Sequence, residues 1–188
     1  MSTVAIVSNN KLHPHKFTLW VAIGSILMMF AGLTSAYVVK RNQANWISFE
    51  LPVMFWYSTA AMLLSSISLY LAAKAFKDRS MVKYRVLIST TLVLGVLFLL
   101  FQIMGFSQLW YAGLTLQSNV AYSFLYVIVG FHALHVIGGI IALIVMSLKA
   151  FSVKTKIYSS VPVELMSTYW HFVDVLWVYL LIFLLMIR

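Results

Sequence analysis

The chain predicts an all-α integral membrane protein, a single polytopic bundle of five transmembrane helices. Three observations carry that reading. Of its 188 residues, 63% are hydrophobic and only 9% are charged, whereas a soluble domain has about 45–50% apolar and about 25% charged residues. Apolar runs of 18 or more residues recur along the chain, each long enough to cross a bilayer. Lysine and arginine gather between those runs rather than within them. The net charge of +9 is therefore a topology and headgroup signal, not a nucleic-acid footprint.

The elements follow in order. Residues 1–16 form a polar tail carrying Lys11, His13, Pro14, His15 and Lys16. The tail reads as irregular and not as a cleaved signal, because the apolar run after it is too long for a signal core and shows no clear cleavage site. Residues 17–188 form one membrane domain. Its first helix spans 17–39 and is closed by Lys40 and Arg41. Gly24, Ser25, Ala31, Gly32, Ser35 and Ala36 within it permit close helix approach, inside the bundle or against another subunit. The second helix spans 52–73, with Pro52 at a tolerable starting position. The third spans 86–107. The fourth spans 119–148, long enough to tilt. The fifth spans 163–187, just past Pro162. Each is near the roughly 20 residues that cross about 30 Å at about 1.5 Å per residue.

Charge sets the orientation. Lys11 and Lys16, then Lys74, Lys77, Arg79, Lys83 and Arg85, then Lys149, Lys154 and Lys156 fall on one side. Lys40, Arg41 and Arg188 fall on the other. The positive-inside rule places the N-terminus in the cytoplasm and the C-terminus outside. Trp46, Trp56, Tyr57, Trp110 and Tyr111 fit the outer interface, and Tyr84 and Tyr158 the inner one. The chain has no cysteine, so disulfides and thiolate metal ligands are excluded. It shows no soluble domain and no internal repeat of the kind many transporters carry.

Its polar chemistry is sparse. Of four acids, Glu50 and Asp78 lie in loops, while Glu164 and Asp174 share the fifth helix with His171. An ionisable group at a helix centre costs about 2.5–3.5 kcal/mol on insertion scales, and such groups face the protein interior. At about 100° per residue, Glu164, His171 and Asp174 share one face. His132 and His135 share a face of the fourth helix. Helical rise brings Asp174 and His135 to a similar depth, so a hydrogen bond between them is expected. Glu164 sits at the helix N-terminus, where negative charge is favoured. Four readings compete for this set. They are haem ligation by His135 and His171, a catalytic metal, a proton relay through Asp174, His135 and His132, and a satisfied polar cluster locking the last two helices together. The last is preferred.

Two segments carry a resemblance. Phe131-His132-Ala133-Leu134-His135-Val136-Ile137-Gly138-Gly139 and Tyr169-Trp170-His171-Phe172-Val173-Asp174-Val175-Leu176-Trp177 resemble the signatures of the last two helices of subunit III of haem–copper terminal oxidases. Glu164, seven residues before His171, also falls where that family has a glutamate. The resemblance implies the family's shorter, five-helix form in a bacterial inner membrane. It implies a non-redox subunit with no catalytic residues and no metal of its own, with haem and copper held by partner subunits. It implies packing on catalytic subunit I and other oxidase subunits, a phospholipid cleft, and support of proton uptake and durability. A larger respiratory supercomplex is a further partner to consider. Lys149 and Lys154 align with basic positions that meet lipid headgroups, and each contributes about 1 kcal/mol toward anionic lipid at an interface. In one respect the chain departs from the family. Where the family carries a buried glutamate after a serine in the first of these helices, Ser25 is followed by Ile26. The electron donor, cytochrome c or a quinol, stays open at this point. A small proton-coupled transporter is the alternative of another class.

Overall fold

The computed structural model describes residues 14–41, 51–117, 119–152 and 160–187. These form five helices: α1 (Pro14–Arg41), α2 (Met54–Lys77), α3 (Met81–Tyr111), α4 (Val120–Phe151) and α5 (Val161–Ile187). All five are long and apolar enough to cross a membrane.

Most of the helices outrun the apolar stretches that announced them. α3 begins at Met81 and ends at Tyr111, and α2 continues to Lys77. An apolar run marks only the part of a helix that lipid must cover, and backbone pairing continues into the polar interface. α1 begins at Pro14, within the stretch read as an irregular tail. A first-position proline costs nothing there, since that N–H has no helical partner. Pro162 likewise lies in the first turn of α5, where the chain enters through Glu164 N–H donating to the Ser160 carbonyl.

The turns have local causes. Arg79, at φ 57°, takes a left-handed conformation between α2 and α3. Ser80 N–H then reaches back to the Ala75 carbonyl, closing α2 as glycine more often does. Gly113, at φ 77°, performs the same task after α3. Asn119 caps α4 by accepting from Ala121 N–H at 2.9 Å.

The arrangement of the bundle follows from side-chain size. Ser58, Ala61, Ser65, Ser68, Ala72 and Ala75 are all buried on α2. Their alternating three- and four-residue spacing makes a strip of small residues that lets a neighbouring helix approach closely. α2 and α3 accordingly form the most closely packed pair. Ser68 Oγ donates to the Leu87 carbonyl across it. α4 and α5 form the middle of the bundle, with α2 and α3 on one side and α1 on the other. α1 packs on α4 and α5, and among the described residues its backbone does not approach α2 or α3.

One end of the bundle gathers Lys16, Lys74, Lys77, Arg79, Lys83, Arg85 and Lys149, while Lys40 and Arg41 mark the opposite end.

Candidate functional site

The last two helices meet around two tryptophans seven residues apart on α5. Trp170 and Trp177 are both fully buried. The Trp170 indole lies between α3 and α4 at two glycines. A methyl group at Gly95 would sit 2.9 Å from Trp170 Cη2, and one at Gly139 would sit 2.9 Å from Trp170 Cζ3. Only residues without a Cβ leave room for that ring. Its N–H donates to Ser65 Oγ at 2.9 Å, so one side chain of α5 meets three other helices. Trp177 works the same way one level along. Its N–H donates to Thr59 Oγ1 at 2.9 Å. Its ring stacks on His132 at 5.1 Å and on Phe55 at 6.0 Å, and meets the edge of Phe98 at 5.3 Å.

His132 is wholly buried and belongs to this aromatic box, with Phe30 and Phe98 at its edges. Neither ring nitrogen has a hydrogen-bond partner. His135 faces α1, with its ring 5.9 Å from that of Phe30. Its Nδ1 lies 2.7 Å from the Phe131 carbonyl. A carbonyl only accepts, so the proton sits on Nδ1. Tyr169 OH donates to the His135 carbonyl at 2.9 Å, tying α5 to α4.

His171 faces the opposite way, toward α2, with its Nδ1 2.6 Å from Ser66 Oγ. Asp174 lies beside it in a recess between α2 and α5, a space of about 470 Å³ also bordered by Leu63, Ser66 and Val175. Asp174 is 4% exposed beside the Ser66 hydroxyl, and neither carboxyl oxygen makes a hydrogen bond of good geometry. Glu164 is half-buried at the basic end of α5, where Lys16 Nζ donates to it at 2.9 Å. A second groove of about 550 Å³, lined by Tyr70, Lys74, Lys77, Glu164 and His171 among others, runs from there toward the recess.

The expected Asp174–His135 hydrogen bond is therefore not made. Depth was not the obstacle, since Gly139 faces Trp170 and His132 faces Trp177. His135 and Asp174 fall between those pairs at one level. They point to opposite sides of the α4–α5 layer, His135 to α1 and Asp174 to α2. The same divergence keeps His135 and His171 from facing one another across a haem. The five polar residues divide into His132 in the aromatic box, His135 toward α1, and a line of Glu164, His171 and Asp174 along the α2–α5 groove. Among the described residues no three His, Cys, Asp or Glu side chains converge as a metal site would require.

Lys149 is exposed in the last turn of α4, and Lys154 lies outside the described residues. Ile26 is partly buried against the core, and Ser25 Oγ bonds to the Ala22 carbonyl of its own helix. Sequence reasoning did not single out Ser65, Thr59 and Gly95, which receive the tryptophans. The small-residue spacing of α2 was the available signal for Ser65.

Residues 44–187 match the family model described as cytochrome c oxidase subunit III. A probable cytochrome c oxidase subunit 3 of Nocardia farcinica is 32% identical over 83% of this chain and 79% of its own length. The cytochrome c oxidase subunit 3 of Corynebacterium diphtheriae is 31% identical, covering 86% of this chain and 85% of the relative. A probable cytochrome c oxidase subunit 3 of Mycobacterium leprae aligns along all of this chain and 98% of its own, at 29% identity.

Proposed function

The chain belongs to the cytochrome c oxidase subunit III family, and from that premise we propose that it is the non-redox subunit that packs on catalytic subunit I and supports its proton uptake and stability. It is a multi-pass membrane subunit of the cytochrome c oxidase complex, with partner oxidase subunits. In our reading the haem and copper belong to those partners, where oxygen is reduced to water and protons are pumped. This chain contributes a rigid lateral wall and a lipid-binding rim.

One observation carries the reading. Four residues within the family's two signatures are spent on packing: Trp170 against Gly139 and Trp177 against His132. A site for chemistry keeps an open position beside its reactive groups, and here the aromatic box is closed. The basic end supports a cytoplasmic N-terminus by the positive-inside rule.

For lipid, the proposal rests on Lys149 in the last turn of α4 and on Lys154. In the sequence both follow the apolar run of the fourth helix, and a basic side chain near a membrane surface attracts anionic headgroups. Replacing both by glutamine should lower the phospholipid phosphorus that co-purifies with each complex. Unchanged lipid content in a fully assembled complex refutes that role.

A further inference from the structure

Arg85 stands in the second turn of α3, at the basic end of the bundle. Its Nε donates to the Ala150 carbonyl near the end of α4 at 2.7 Å. Its guanidinium carbon lies 5.7 Å from the centre of the Phe151 ring. These contacts hold the group at the α3–α4 joint and use one of its five N–H donors. The Nη donors meet no acceptor among the described residues. Nor does a carboxylate there form an ion pair with Arg85; the ion pair observed joins Lys16 to Glu164. A half-buried charge without a counter-charge is costly. An anion from outside the chain would relieve that cost.

The same guanidinium heads an apolar groove of about 580 Å³ along α3, bordered by Val82, Val86, Ser89, Val93, Leu94 and Phe151. From Val82 to Leu94 is about 18 Å at the rise of a helix. That is a little over half of the roughly 30 Å hydrocarbon core. The groove therefore spans one leaflet from the basic end and stops. A transmembrane helix needs a seat of the full thickness. A second copy of this chain would bring its own basic end against Lys83, Arg85 and Lys149. An acyl chain headed by a phosphate matches both the length and the charge. A guanidinium grips a phosphate through two parallel N–H···O bonds. Ser89, one turn deeper, adds a hydroxyl below that level.

Resting on the reading of this chain as a subunit with a lipid-binding rim, we propose that the α3 groove holds one anionic phospholipid, its phosphate on the Arg85 Nη donors and an acyl chain along Val86 and Val93. Arg85 then serves two partners at once. Nε closes the end of α4, and the outer edge of the guanidinium binds the headgroup. The lipid is retained at a built site, not merely attracted to a basic rim.

The test uses the assembled complex in mild detergent, washed free of loosely held lipid. Phosphatidylglycerol or phosphatidylcholine is added back, and native mass spectrometry counts the lipid bound. The expected result is one phosphatidylglycerol that phosphatidylcholine does not displace. Arg85→Gln should weaken its retention at least about tenfold. Val86→Trp fills the groove at a residue 61% exposed and leaves the charge in place, and it should lose the same lipid. If Arg85→Gln does not assemble, Val86→Trp and the choice between the two lipids decide. Full retention in the variants that assemble overturns the proposal, and so does phosphatidylcholine held equally well. Release of the chain by Val86→Trp would show a protein in the groove and also overturns it. Replacing Lys149 and Lys154 by glutamine separates the parent reading. Lipid lost there but not from the Arg85 and Val86 variants keeps the rim and refutes this site, and lipid lost from none refutes both.

Discussion

Replacing Gly139 by alanine puts a methyl group 2.9 Å from Cζ3 and 3.0 Å from Cε3 of Trp170. Carbon atoms prefer a separation of about 3.5–4.0 Å, so the ring has to retreat by several tenths of an ångström. Its retreat is blocked. The other edge of the ring already lies against Gly95, and the indole N–H is anchored to Ser65 Oγ at 2.9 Å. Overpacking of this kind costs about 1–3 kcal/mol, and the better helix propensity of alanine returns up to about 1 kcal/mol. The expected net loss is about 1–2 kcal/mol. Gly95→Ala should behave alike, with Ile140 Cγ1 at 3.4 Å as a second neighbour. The two changes share one partner, so together they should cost more than their sum. The assay is thermal release of the subunit from the purified complex, read as the midpoint temperature of its loss. Trp170→Phe supplies the decisive background: with the larger ring gone, Gly139→Ala should be neutral or stabilising. An equal cost in both backgrounds would refute the wedge, as would no cost in either.

Two further outcomes are expected from the same assay. Ser58→Ala removes the acceptor of buried Gln102 Nε2, now bonded at 2.9 Å, and should cost about 1–3 kcal/mol. Adding Gln102→Leu should restore most of the loss, and a double variant as weak as the single would show that the bond is not the cause. Lys16→Gln opens an ion pair whose side chains are 41% and 35% exposed, so the midpoint should scarcely move, since such pairs are worth about 0–1 kcal/mol. A large drop that salt does not diminish would show that the α1–α5 joint depends on it.

Much of this fold was legible because lipid imposes a coarse code. The number of helices follows from apolar run length, and the division of charge between the two ends of the bundle from lysine and arginine. Helix ends were less legible, as α3 shows. Lys83 and Arg85 interrupt the apolar run over residues 81–85, so run length alone does not carry the helix back to Met81. In the polar set, depth was readable from helical rise and the shared face of Glu164, His171 and Asp174 from helical periodicity, but not the neighbour that each face meets. His135 and Asp174 share a level and turn apart, because the direction of each depends on which neighbour α4 and α5 meet. That neighbour is chosen by α2, whose buried Ser58, Ala61, Ser65, Ser68, Ala72 and Ala75 set where the α2–α3 pair can lie close. The spacing is present in the sequence. Its partner is not, since small residues say that something approaches and not what.

The central claim, an accessory oxidase subunit without a redox centre, meets its most direct test in where colour and metal reside. The tagged chain is purified in mild detergent, its bound subunits are identified, and haem and copper are measured before and after those subunits are stripped away. The account predicts an equimolar complex that oxidises reduced cytochrome c, with all haem and copper leaving with the partners. Stoichiometric haem or copper on the stripped chain would contradict it, and so would a chain that purifies without oxidase subunits.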